Sequence, residues 1–168
     1  VPCAPSPCVP PSATVTVTVN IPPSAGTNGA ISTCSNTAAF DLFTYLGGSP
    51  NPGGAWTGPG GTPVASTFTP GTSTPGVYTY TVLGAPPCSN ASAIVTVSVV
   101  SAPDPGVGTN FTVCSNANSF ALFSRLGGTP QAGGAWVGPG GVHGPTFVPG
   151  TDVPGDYTYT VSGTAPCV

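Results

Sequence analysis

The sequence predicts an all-β chain, two tandem repeats of a small β-sandwich, each with one short helical turn. Three observations predict it. The 168 residues include 25 Gly and 23 Pro, spaced at intervals rather than clustered, so they punctuate many short strands and exclude a helix-dominated fold. Pro75-Gly-Val-Tyr-Thr-Tyr-Thr-Val82 and its twin Pro154-Gly-Asp-Tyr-Thr-Tyr-Thr-Val161 each read as a turn feeding a strand of two-residue alternation. The other segments recur too, at an offset of 80 residues (Cys34 to Cys114) that drops to 79 after a one-residue deletion near His143.

The tyrosine strand organises each repeat. Tyr78, Tyr80 and Val82 point one way, and Val77, Thr79 and Thr81 point the other. In the twin, Asp156 stands for Val77 while Tyr157 and Tyr159 are kept. A charge is tolerated only on the outer face, so the Tyr/Tyr/Val face is the buried one.

Charged residues make up 3% of the chain: one Arg, four Asp, no Lys and no Glu, for a net charge of −3. Nucleic acid binding needs several phosphate-neutralising cations, and an anionic membrane surface needs a basic patch, so neither is an expected partner. No run of eighteen apolar residues is present to span a membrane. No signal peptide is legible, as expected of a processed or excised piece. Six cysteines in so charge-poor a chain point to an oxidising compartment, and their spacing fits no zinc pattern.

In chain order, Ser12-Ala-Thr-Val-Thr-Val-Thr-Val-Asn20 matches Ser92-Ala-Ile-Val-Thr-Val-Ser-Val-Val100. Residues 1–21 therefore read as the closing strand of a preceding repeat with a Pro-rich start. Residues 22–101 form a complete repeat, and 102–168 form a second that stops before its own closing strand. Asn20–Gly26 is a short linker stiffened by two prolines. Ala30–Cys34 is a strand. Ser35 or Asn36 can cap a helical turn over Asp41–Leu46 that Gly47 ends, with Ala121–Leu126 and Gly127 as counterparts. Phe40, Phe43 and Leu46 are expected to plug one end of the sandwich rather than form a binding face. Trp56 and Trp136 sit on very short strands between glycine turns. A Trp so placed anchors a sandwich core, or stacks on a sugar ring, and the core reading is favoured. Thr67-Phe68 and Thr146-Phe147 make another brief strand. The closing strand turns Val95, Val97 and Val99 inward.

Six or seven short strands in 80 residues, with turn signals at close spacing, describe an immunoglobulin-like sandwich. The Tyr-x-Tyr on the penultimate strand resembles a tyrosine corner, with Tyr80 where an antibody domain carries Cys. On that pattern Cys34 pairs with Cys88 and Cys114 with Cys167. Cys8 is the counterpart of Cys88, so it pairs with a cysteine upstream or with Cys3. The Tyr and Trp anchors are Trp56, Tyr78, Tyr80, Trp136, Tyr157 and Tyr159.

No catalytic set is present. His143 is the lone histidine and falls at the deletion, where it reads as a solvated loop residue. Asp152 and Asp156 could hold a weak calcium ion, but such sites usually need more oxygen ligands, and their counterparts Ser73 and Val77 show that the pair is not part of the repeat. Asp41 reads as a helix-start charge, Asp104 as a linker residue and Arg125 as a surface variation on Tyr45. Asn90-Ala-Ser and Asn110-Phe-Thr are glycosylation sequons. Neither cofactor nor metal is expected.

The ordered set Cys-Ser-Asn, Leu-Phe-x-x-Leu-Gly-Gly, Gly-Gly-x-Trp-x-Gly-Pro-Gly-Gly, Pro-Gly-x-Tyr-Thr-Tyr-Thr-Val and a closing Thr-Val-Thr-Val strand covers almost the whole chain. It resembles tandem repeats of very large secreted surface proteins of Bacteroidota, including gliding-motility-type adhesins exported by the type IX system. The resemblance implies an extracellular structural or adhesive role at the cell surface and no enzyme activity.

The expected function is thus a repeat or subunit of an extracellular filament, stalk or adhesin. It assembles head to tail by strand complementation or as a continuous repeat chain, so its partner is a neighbouring repeat or subunit of the same kind, with surface glycans as a further candidate. The alternative is a carbohydrate-binding module that uses Trp56 and Trp136. Residues 13–19 are expected to be a donated strand, because Val15, Val17 and Val19 match Val95, Val97 and Val99 in register.

Overall fold

A computed structural model describes residues 12–168. Cys3 and Cys8 lie outside the described residues. The chain is all-β, with two single 3₁₀ turns as its helical content among those residues.

The first repeat holds seven strands: β1 (Gly29–Cys34), β2 (Phe40–Asp41), β3 (Ala55–Thr57), β4 (Pro63–Val64), β5 (Thr67–Phe68), β6 (Gly76–Val82) and β7 (Ala91–Val100). Five form one sheet in the order β1-β7-β6-β3-β4, and β2 pairs with β5 in a second ladder. The closing strand β7 runs antiparallel to β6 and parallel to β1, so it lies inside the sheet rather than at its edge. Period-two alternation then decides what each strand buries. Tyr78, Tyr80, Ala93, Val95 and Val97 face the core beside Trp56, Leu42 and Phe68. Phe68, from the second ladder, stacks on Phe40 and meets Tyr78 edge-on, which ties the two layers together.

The 3₁₀ turn Leu42–Tyr45 is capped by Asp41, whose Oδ1 accepts from Phe43 N at 3.0 Å, and not by Ser35 or Asn36. Asp41 already leaves the β2 ladder in extended conformation, which is the geometry a cap needs. Leu42 is the fully buried residue of this turn, while Phe40 and Phe43 pack half-buried against the core.

Both tyrosines of β6 satisfy their hydroxyls on backbone. Tyr78 donates to Thr74 O, four residues upstream, at 2.7 Å. Tyr80 donates to Asn51 O at 2.6 Å and accepts from Gly54 N at 2.8 Å. A Cβ on Gly54 would sit 2.6 Å from that ring, so the glycine before Trp56 is what lets the tyrosine reach the loop. The second repeat reproduces both arrangements. Tyr157 donates to Val153 O, and Tyr159 bridges Gln131 O and Gly134 N.

The second repeat holds five strands: β8 (Phe120–Ala121), β9 (Ala135–Gly138), β10 (Gly141–His143), β11 (Thr146–Phe147) and β12 (Thr158–Thr160). They form a three-stranded sheet β10-β9-β12 and the ladder β8·β11. Leu122, Trp136, Phe147 and Tyr159 make its core. Counterparts of β1 and β7 are not found as strands among the described residues. β12 spans three residues where β6 spans seven, because the ladder with a closing strand is not formed.

One disulfide is present among the described residues, and it overturns the expected pairing. Cys34 bonds Cys167, with Cα atoms 5.1 Å apart, whereas Cys88 and Cys114 are free. The cause is the parallel pairing of β1 with β7. Cys34 lies opposite Val100, at the end of β7, while Cys88 precedes Ala91 at its start. Ten strand residues separate those ends by about 30 Å, far beyond the roughly 7 Å a disulfide can span. Cys34 instead meets the Cys167 corner of the next repeat.

Candidate assembly site

The most distinctive surface is a cleft in the second repeat, and the first repeat shows what such a cleft holds. There, β7 inserts between β1 and β6. Val95 lies opposite Gly29 and Tyr78, Val97 opposite Ile31 and Gly76, and Val100 opposite Cys34. Val95 is 0% exposed and Val97 2%. Gly76, at φ 145°, packs against the Pro59 ring and lets the start of β6 pass close to its neighbours.

In the second repeat the walls are present without the insert. Residues 109–114 correspond to β1 and Gly155–Val161 to β6. Between them opens a cleft of about 690 Å³, lined by Phe111, Val113, Phe120, Leu122, Phe147 and Tyr157 among others. Phe111 and Val113 are exposed, unlike the half-buried Ile31 and buried Thr33 that they replace. Arg125 lies 5.3 Å from the Phe111 ring and 5.0 Å from Phe120, so it caps aromatic faces where Tyr45 packs edge-on against Phe40 in the first repeat. Arg125 is exposed, as a surface variation would be, and it covers these two rings.

Residues 12–20 have the side-chain pattern of β7. Val15, Val17 and Val19 are 85%, 79% and 83% exposed, and the segment joins no ladder. Its end alone is fixed. Asn20 Nδ2 donates to Pro86 O at 2.7 Å, and the Cys88 thiol reaches Asn20 O at 3.4 Å. Residues 12–20 thus present exposed apolar side chains outside any ladder, and the second repeat carries a partly apolar cleft with no strand in it.

The remaining candidates are placed as follows. Trp56 and Trp136 are each 6% exposed, packed against Tyr80 and Tyr159 at ring-centroid distances of 5.0 and 4.9 Å. A hollow of about 500 Å³ lies beside Trp56, Phe43 and Tyr80, but the indole offers it no open face for a sugar to stack on. Tyr78, Tyr80 and Tyr159 are buried, and Tyr157 is half-buried beside the cleft.

His143 is not a free loop residue. It ends β10, lies 3.4 Å from Asp152 through Nε2, and meets Tyr157 edge-on. Asp152 also accepts from Val148 N at 2.6 Å, which closes the turn that Ser73 closes in the first repeat. Desolvation, then the Asp152 charge, push the Tyr157 phenol above its ordinary range. Among the described residues no three His, Cys, Asp or Glu side chains gather to hold a metal, and no helix is long and apolar enough to cross a membrane. No protein-family model and no curated protein sequence matches the chain.

Proposed function

We propose that this chain is a structural subunit of an extracellular filament or stalk on a bacterial surface, joined head to tail by strand complementation. Residues 12–20 of one copy enter the cleft of the second repeat of the next. The observation that carries the reading is the match of insert to slot: Val15, Val17 and Val19 repeat the register of Val95, Val97 and Val99 and are exposed, while the second repeat carries an open cleft of the same design. Burying a valine contributes roughly 1.5–3 kcal/mol, and the ladder satisfies main-chain groups on both walls at once. Donor and acceptor surfaces differ, so the contact does not close on itself and propagates as a fibre. Each repeat fits an immunoglobulin-like sandwich, with Tyr78 and Tyr157 as tyrosine corners. The disulfide fits an oxidising, extracellular setting.

The reading is structural rather than enzymatic. The His143–Asp152 contact has no counterpart in the first repeat, where Ser73 holds the place of Asp152. Buried indoles favour a scaffold over a carbohydrate-binding module.

The test is Val17→Asp in the full chain, which sets a charge on the inward face. Negative-stain electron microscopy and sedimentation should show polymers from the parent and monomers from the variant. Equal polymerisation of both would refute strand complementation.

A further inference from the structure

We propose that Cys88 of one copy and Cys114 of the next form a disulfide that locks each junction covalently. This rests on the strand-complementation reading, and it adds the chemistry that makes the junction permanent.

The bond already present shows how the repeat staples itself to its neighbour. Cys34 and Cys167 come from different repeats and meet over Val100, the last residue of the closing strand. Ser35 N donates to Val100 O at 2.9 Å, and Cys167 Sγ lies 3.3 Å from the same oxygen. Three parts therefore build the staple: a cysteine ending the β1 position, a closing strand, and a cysteine in the corner that leans on that strand's last carbonyl.

The same three parts occur again, separated. Asn20 is the counterpart of Val100, and Cys88 is the counterpart of Cys167. Cys88 is 3.4 Å from Asn20 O, and its corner is held by Cys88 N donating to Ala85 O at 2.9 Å. Cys167 N donates to Thr164 O at 2.8 Å in the same turn. Cys114 is the counterpart of Cys34, and Ser115 is the counterpart of Ser35. Cys114 is exposed and Cys88 half-buried, and both are free. When residues 12–20 enter a neighbouring cleft in the register of β7, Asn20 arrives opposite Cys114 as Val100 lies opposite Cys34. Asn20 carries Cys88 with it, so the two free thiols take the places of Cys167 and Cys34.

The bond requires an oxidant of the disulfide class, a protein disulfide oxidase or oxidised glutathione. One thiol loses its proton and attacks the oxidant's disulfide, releasing a reduced thiol. The second, deprotonated, attacks the mixed disulfide and expels the other reduced thiol. Two protein thiols become one S–S bond, and the two electrons leave on the oxidant.

The experiment takes the full chain through assembly in a glutathione redox buffer. Samples are then denatured in SDS without reductant and mapped by mass spectrometry after peptic digestion. The result expected is a ladder at multiples of 16.2 kDa that reductant collapses. A peptide joining Cys88 to Cys114 should appear in the ladder bands and be missing from the monomer band. Cys114→Ser and Cys88→Ser should still give filaments by electron microscopy yet run as monomers in SDS. Filaments of the parent chain with no ladder would overturn the disulfide and leave strand complementation standing. Cys88 mapped to Cys3 or Cys8 would overturn it as well. Absence of both filaments and ladder would overturn the two readings together.

Discussion

Tryptophan and tyrosine at a few positions set the energetics of each repeat. Trp136 packs on Tyr159, and with Leu122 and Phe147 it makes up most of a small core. Trp136→Ala should therefore cost roughly 3–5 kcal/mol, read as a lowered urea midpoint, and an unchanged midpoint would contradict the core assignment. Tyr78 supplies a pH signature. Burial raises its phenol above the ordinary value of 10.0. The unfolded chain then releases this proton first as pH climbs past about 10. The stability held there is complete below that pH and is lost as pH rises through the folded pKa. Tyr78→Phe should thus flatten the alkaline fall of stability measured by urea melts, and an equally steep fall would contradict it. These residues were legible in the sequence, since Val77→Asp156 marks the outer face and so the inner one. The seat of Arg125 over two phenylalanines was not, because Phe111 lies well upstream along the chain and the short-range spacing to Phe120 does not say which way the side chain turns.

At the scale of elements, alternation reveals which face of a strand is buried but not which neighbour it takes or in which direction. The strand at 91–100 was legible from Val95, Val97 and Val99, whereas its parallel pairing with β1 was not. That one missing fact moved Cys34 from the start of β7 to its end and exchanged its partner from Cys88 to Cys167. The same geometry makes the donor segment testable by competition. A synthetic peptide of residues 12–20 added in excess should occupy the cleft and shorten the polymers in electron micrographs. The same peptide with Val15 and Val17 changed to Asp should leave lengths unaltered. Equal effects of both peptides would contradict occupancy by register.

Across the whole molecule, the Cys34–Cys167 bond spans a sequence separation of 133 residues and ties the two repeats together at their junction. In the chain-entropy model a loop of that length contributes about 5 kcal/mol, so Cys34→Ser should lower the thermal midpoint well below that of the parent; an unchanged midpoint would count against a staple. On the proposed reading, residues 12–20 supply the insert, and the cleft walled by 109–114 and 155–161 receives it. The most direct measurement is a cryo-electron microscopy map of the assembled chain at a resolution that traces side chains. The account predicts residues 12–20 of one copy between 109–114 and 155–161 of the next, with Val15 and Val17 inward. A cleft that stays open, one filled by the same copy's own 12–20, or a chain that remains monomeric at every concentration would contradict it.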